Sequence, residues 1–179
     1  MMKISAILAL LLPATLLTTA TAPAAAADPA GALNRCQYGA PADYNAATNV
    51  LGNGGGSIPT GTNPPNVLMP GDAFKVRPLI SDRVRVDLWG YNVGPDGNGT
   101  LAQGGTWPFQ GLNQFAEVLR FNNNPGGWVG NPAHATAFQG CQTWNGGYPV
   151  RFLFYVNDAE TWDNGGYWAT NVAIWRANP

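Results

Sequence analysis

Several short stretches of the chain alternate between apolar and polar residues with a period of two. In residues 83–89, Val84, Val86 and Leu88 fall on one side, while positions 83, 85 and 87 are charged. The stretch 167–175 shows the same alternation near the end of the chain. A period of two is typical of extended strands that bury one face, so the pattern predicts strands rather than helices.

Segments rich in Gly, Asn and Pro separate these apolar stretches, and runs such as Gly94-Pro95-Asp96-Gly97 are typical of turns. The chain therefore predicts an all-β fold, a β-sandwich of about eight antiparallel strands around one core. The predicted strands are 73–78, 83–89, 115–121, 133–138, 148–156 and 167–175. Residues 28–70 are interpreted as a loop-rich lead-in with room for two short strands.

The N-terminus has the pattern of a cleavable export signal. Lys3 precedes an apolar stretch from Ile4 to Leu17, and Ala25-Ala26-Ala27 forms a small-residue cleavage site before Asp28. Pro13 and several Thr interrupt the stretch, which is too short for a membrane anchor. The prediction is a secreted protein with a signal peptide at 1–27, a loop-rich N-terminal extension at 28–46 and a sandwich domain at 47–179.

Composition narrows the classes of partner. Charged residues make up 11% of the chain and the formal net charge is −1. Such a chain offers no basic field for nucleic acid or for an anionic membrane surface, and no membrane insertion is expected after residue 27. Arg77, Arg83 and Arg85 are the nearest approach to a basic cluster, and their spacing favours a solvated sheet face.

Cys36 and Cys141 are the two cysteines of the chain. In an exported protein two cysteines most simply form one disulfide, and two free buried thiols are the alternative. Closing a loop of about 100 residues would stabilise the fold by roughly 4 kcal/mol, mainly through the unfolded state.

The sequence carries no motif for a catalytic centre, and no catalytic residue is predicted. His134 is the one histidine, and Ser57 and Ser81 are the serines beyond the signal segment, so no nucleophile elbow or nucleotide loop is formed. Glu117 and Glu160 are the glutamates, and either could work with an Asp in a secreted glycan-active hydrolase. A non-catalytic inhibitor or toxin-like interaction protein is the other alternative.

The loop between the last two predicted strands concentrates oxygen ligands. Residues 157–166 hold three carboxylates and two Asn side chains. Calcium takes roughly six to eight oxygens from carboxylates, amides and backbone carbonyls, so the loop is a candidate calcium site. The alternative is an ordinary hairpin loop, which uses the same residue types.

The order of these motifs resembles that of the PA-IL-like lectins, small bacterial sandwich proteins that bind galactose-type sugars through calcium. The resemblance covers roughly residues 47–175. The matching segments lie in family order and are Val50-Leu51-Gly52-Asn53, Pro70-Gly71-Asp72, Trp89-Gly90-Tyr91, Pro108-Phe109-Gln110-Gly111-Leu112, Asn157-Asp158 and Asp163-Asn164-Gly165-Gly166.

The resemblance implies a secreted calcium-dependent lectin with a galactose-binding, jelly-roll-like sandwich, and it leaves a homo-oligomer open. The implied calcium ligands are the carbonyls of Tyr91 and Thr161 and the side chains of Asp158, Asp163 and Asn164. The implied sugar contacts are Gln110, Trp107, Asp158 and Asn164, with two sugar hydroxyls completing the calcium shell.

Two departures from the family pattern bear on these assignments. The loop is about one residue shorter than in the family, which can shift Thr161, Asp163 and Asn164 by one position. Trp107 stands where the family has a sugar-contacting histidine, so the preferred sugar can differ.

Overall fold

Two four-stranded antiparallel sheets form the molecule in a computed structural model that describes residues 26–58, 67–122 and 127–178. The elements are α1 (Pro29–Gln37), β1 (Tyr44–Leu51), β2 (Gly56–Ile58), β3 (Ala73–Pro78), β4 (Val84–Arg85), β5 (Asn92–Val93), β6 (Glu117–Asn122), β7 (Trp128–His134), β8 (Gln142–Thr143), β9 (Arg151–Val156) and β10 (Tyr167–Trp175). Short 3-10 helices cover Ala135–Phe138 and Thr161–Asp163.

The first sheet has the strand order β1-β10-β3-β8 and the second has the order β2-β9-β6-β7. Their facing side chains form one buried cluster, to which the first sheet contributes Val76 and Trp168 and the second contributes Leu119 and Phe152. The β4–β5 ladder adds Val84 to the same cluster. The all-β sandwich prediction is therefore confirmed.

Strand β10 is central to the first sheet and is buried on both faces near its end. Trp168 and Ile174 point into the sandwich core, whereas Trp175 belongs to a second cluster beneath α1. The predicted bounds of 73–78 and 167–175 agree with β3 and β10. The alternation of apolar and polar residues predicted these two strands correctly, because each strand has at least one fully buried face.

The helix α1 is a correction to the loop-rich extension predicted for 28–46. The Asp28 carboxylate caps the helix by accepting a hydrogen bond from Gly31 N at 2.8 Å, and Pro29 occupies the first turn. Cys36 on this helix is bonded to Cys141, which confirms the predicted disulfide. The disulfide and the burial of Ala32 and Cys36 fix a nine-residue helix that has little helix propensity of its own.

Four predicted strands differ in extent from the structure. The strand predicted at 115–121 is β6, Glu117–Asn122, and the strand predicted at 148–156 begins only at Arg151. The strand predicted for 83–89 ends at Arg85, because the Asp87 carboxylate accepts from Tyr91 N at 2.8 Å and closes a turn that leaves Leu88 exposed. The segment predicted as a strand at 133–138 is the end of β7 followed by a 3-10 helix.

The predicted signal peptide falls almost wholly outside the described residues, so export stays a prediction. Among the helices of the described part of the chain, none is long and apolar enough to cross a membrane.

Candidate functional site

The loop between β9 and β10 lines a cavity of about 350 Å³ with the region that follows β5. The acidic loop contributes Asp158, Glu160 and Asp163, and the opposite wall carries Trp107 and Phe115. The cavity therefore combines the carboxylates of the predicted calcium loop with a wall that includes Trp107, the aromatic residue implied to contact sugar.

Asn157 holds the two walls together. Its side chain is fully buried, accepts from Phe109 N at 3.0 Å, and donates to the carbonyls of Phe109 and Asn113, each at 2.9 Å. Its backbone carbonyl accepts from Phe115 N at 2.7 Å. One amide side chain thus anchors the 109–113 loop against the start of the acidic loop, a role that sequence reasoning did not assign to it.

Asp158 and Asn164 form the buried centre of the acidic loop. Asn164 Nδ2 donates to Asp158 Oδ2 at 2.9 Å and to the carbonyl of Gly52 at 2.9 Å. Asp158 Oδ1 accepts from Glu160 N at 3.1 Å. Each carboxylate oxygen of Asp158 accepts one hydrogen bond and keeps further lone-pair capacity.

Two side-chain oxygens of this loop are buried without a hydrogen-bond partner, Oδ1 of Asp163 and Oδ1 of Asn164. An unsatisfied buried acceptor costs about 1–3 kcal/mol, and more when it is charged. These oxygens lie on consecutive residues, and the Asn164 amide already contacts the Asp158 carboxylate. Carboxylate and amide oxygens without N–H partners are of the type that suits a hard cation, and the two residues offer two of the roughly six to eight oxygens that calcium takes.

The electrostatics of the loop also favour a cation. Burial raises the pKa of Asp158, and the nearby Asp163 and Glu160 charges raise it further. Hydrogen bonds from Glu160 N and the Asn164 side chain act in the opposite direction. Negative charge on Asp158 is therefore costly. A divalent cation would offset both the desolvation cost of this carboxylate and its repulsion by the neighbouring carboxylates.

The two residues whose backbone carbonyls the family resemblance implies as ligands, Tyr91 and Thr161, are not among those that line the cavity. The Thr161 carbonyl accepts from Asn164 N at 3.2 Å, inside the same loop. The Tyr91 carbonyl accepts from Val86 N at 2.8 Å, and Val86 lines the cavity. Each carbonyl has a second lone pair for a further partner.

Trp107 and Gln110, which are implied to contact sugar together with Asp158 and Asn164, are placed differently from each other. Trp107 lines the cavity and packs edge-on against Phe115 with ring centroids 5.3 Å apart. Gln110 is exposed on the loop that Asn157 anchors, and it is not among the residues that line the cavity.

Phe115 is a feature of the site that the sequence did not indicate. It is the one non-glycine residue with positive φ, at 61°, among those described, and it lines the cavity beside Trp107. Left-handed backbone at a bulky residue is strained and is concentrated at ligand-binding sites. The hydrogen bond from its N–H to Asn157 holds the residue in this conformation.

The residues considered for catalysis lie elsewhere, with one exception. Glu117 is fully buried between the sheets, where it accepts from Thr170 Oγ1 at 2.8 Å. His134 Nε2 accepts from Asn113 N at 2.9 Å and so serves the loop structurally. Glu160, by contrast, lines the cavity with Asp158.

Within the described ranges, no group of three His, Cys, Asp or Glu side chains is arranged to hold a metal ion by itself. A cation at this loop would therefore depend on the Asn164 amide and on backbone carbonyls as well as on carboxylates. Comparisons with protein-family models, with curated proteins and with solved structures give no match to this chain.

Proposed function

We propose that this protein is a secreted, calcium-dependent carbohydrate-binding protein. The observation that carries the proposal is that Asp163 and Asn164 each bury an unpartnered side-chain oxygen in the loop where the Asn164 Nδ2 group donates to the Asp158 carboxylate. A cation would satisfy both oxygens and offset the clustered negative charge.

The proposed ligands are the side chains of Asp158, Asp163 and Asn164 with the carbonyls of Thr161 and Tyr91. When bound, calcium would supply positive charge and open coordination positions for two neighbouring sugar hydroxyls. Asp158 and Asn164 are suited to accept hydrogen bonds from those hydroxyls. The preference for galactose-type sugars rests on the family resemblance alone.

The aromatic wall supports a sugar as the second ligand. Trp107 is half-buried and lines the cavity, so part of its ring is available to the apolar face of a pyranose. Gln110 would contribute from the neighbouring loop if the ligand extends beyond the cavity. The cavity volume of about 350 Å³ is close to the lower end of small-molecule sites.

The test is calorimetric titration of calcium into mature protein, residues 28–179, and into the variant Asp163→Ala. Wild type should bind one equivalent, and the variant should bind at least about tenfold more weakly because a charged ligand is lost. Asp43→Asn is the matched control, since Asp43 pairs with Arg35 outside the loop. Equal binding by wild type and Asp163→Ala would contradict the proposal.

A secreted glycan hydrolase is a second candidate, because Glu160 shares one cavity with Asp158 and Asp163. It would show turnover of a glycan substrate, and Glu160→Gln would abolish that turnover while leaving calcium binding in place. A protein indifferent to calcium and to glycans would instead be a non-catalytic interaction protein.

A further inference from the structure

We propose that a second cavity, of about 300 Å³ and lined by Arg83, Arg85, Asn92, Gly165 and Gly166, binds the anionic group of an acidic glycan. The group is a carboxylate or a sulfate ester. The inference deepens the proposed carbohydrate function and rests on it for the identity of the ligand as a sugar.

The second cavity lies next to the acidic loop, because the end of that loop forms part of its lining. Arg85 N donates to the Gly165 carbonyl and Gly165 N donates to the Arg85 carbonyl, each at 2.9 Å. Arg85 Nη2 donates to the Asp163 carbonyl at 3.1 Å, while Asp163 itself lines the first cavity. The segment 163–165 therefore separates the two cavities, and a glycan of two or more residues could reach both.

Both guanidinium groups are held by backbone carbonyls. Arg83 Nη1 donates to the carbonyls of Ile80 and Asp82 at 2.7 and 2.8 Å. Each guanidinium also lies against a glycine: a Cβ at Gly94 would be 3.3 Å from Arg83 Nη1, and one at Gly165 would be 3.2 Å from Arg85 Nη2. The sequence predicted a solvated face here, and both arginines are exposed; each guanidinium is also hydrogen-bonded to backbone carbonyls.

The charge of the two arginines is not neutralised by the protein. Residues 26–58, 67–122 and 127–178 contain every Asp and Glu of the chain, and in these ranges neither Arg83 nor Arg85 forms an ion pair. A guanidinium has five N–H donors, so most donors of each group are available to a ligand. Two adjacent cations with available N–H groups are complementary to an oxyanion.

The charge of the chain limits the class of anion. A chain with a net charge of −1 offers no overall positive field for a polyphosphate backbone. The neighbouring cavity is proposed to hold a sugar. A glycan that contains a uronic acid or a sulfated sugar could therefore place a sugar ring in the first cavity and an anionic group in the second.

The first experiment compares galactose, galacturonate and galactose 6-sulfate binding to the calcium-loaded mature protein at constant ionic strength. Either or both acidic sugars should bind about tenfold more tightly than galactose, and Arg83→Gln should remove that difference without weakening galactose. Arg77→Gln is the matched control, because Arg77 lines a different cavity. Arg85 is left unchanged because it contacts the Asp163 carbonyl. If galacturonate binds more tightly than galactose, the anionic group is a carboxylate; if galactose 6-sulfate does, it is a sulfate ester.

The second experiment separates this inference from the proposed function. Sodium sulfate is titrated into the protein with chelator present, and the amide resonances of Gly165 and Gly166 are followed by NMR. Saturable shifts that disappear in Arg83→Gln support the anion subsite even if calcium binding fails. Absent shifts, or shifts that Arg83→Gln leaves intact, overturn it, as does equal affinity for neutral and acidic sugars.

Discussion

The side-chain amide of Asn164 donates to Asp158 Oδ2 at 2.9 Å, while its own Oδ1 is buried without a partner. The amide group is thus satisfied on its nitrogen and unsatisfied on its oxygen. This asymmetry is costly in a purely structural loop and useful in a cation site.

The variant Asn164→Asp should be less stable than wild type when calcium is absent. It removes the donor to Asp158 and to Gly52 and places a second carboxylate beside a buried one, at a cost of about 2–4 kcal/mol. Urea denaturation with chelator measures the loss, and added calcium should recover a large part of it. Asn45→Asp is the control, since Asn45 only accepts from Asn171 at an exposed position. An unchanged midpoint in both variants would argue against a strained loop.

The variant Asn157→Ala should loosen the loop that carries Gln110. The substitution leaves the N–H and carbonyl of Phe109 and the carbonyl of Asn113 without their partner, a loss of about 2–4 kcal/mol. Hydrogen exchange should accelerate across residues 109–113 more than in β10. Uniform acceleration over the whole molecule would show that Asn157 contributes only global stability.

The stability of the fold should decrease between about pH 5 and pH 8 because of Glu117. Burial raises the pKa of Glu117 from 4.5 to about 8; the hydrogen bond from Thr170 acts against this shift, and the Asp96 charge adds to it. In that interval the folded state retains a proton that the unfolded state has released. The free energy of unfolding therefore falls as pH rises, by up to about 1.4 kcal/mol per pH unit, and levels off above pH 8.

The variant Glu117→Gln isolates this contribution, because it keeps an acceptor for Thr170 and cannot ionise. Urea denaturation at pH 5 and pH 8 with chelator should show a smaller decrease in the variant than in wild type. Comparing the two proteins removes the contribution of Asp158, whose raised pKa acts with the same sign. Parallel pH profiles would mean that Glu117 is ionised in the folded protein.

Removing the disulfide with Cys36→Ser and Cys141→Ser should destabilise the fold by about 3–5 kcal/mol, since the bond closes a separation of 105 residues. The helix α1 should show the largest local loss of protection from hydrogen exchange, because Cys36 lies on the buried face of this helix. A helix that keeps its protection would show that packing alone holds it.

The sequence predicted the strands that have one continuous buried face. Strands β3 and β10 were identified with correct bounds, and every second residue is buried from Phe74 to Pro78 and from Trp168 to Ile174. The end of β4 could not be predicted, because the hydrogen bond from Tyr91 N to Asp87 outweighs the continued alternation at Leu88. Helix α1 was missed because a disulfide and tertiary burial, rather than helix propensity, stabilise it.

The sequence predicted several residues of the candidate site but not the contacts that hold them in place. Asp158 and Asp163, in a loop selected by its composition, and Trp107, selected by the family resemblance, line one cavity. The anchoring role of Asn157 and the positive φ of Phe115 depend on contacts between distant parts of the chain, 48 residues apart for the hydrogen bond from Phe109 N, which no local pattern encodes. Gln110, selected by resemblance, lies beside the cavity rather than in its lining.

The most direct test of the central claim is a thermal melt of residues 28–179, the predicted mature protein, with calcium and then with excess chelator. Calcium that binds only the folded state should raise Tm, and the rise should grow with calcium concentration and vanish in Asp158→Ala. Identical melts with calcium and with chelator, even at millimolar calcium, would contradict the proposed cation site and the carbohydrate mechanism that depends on it.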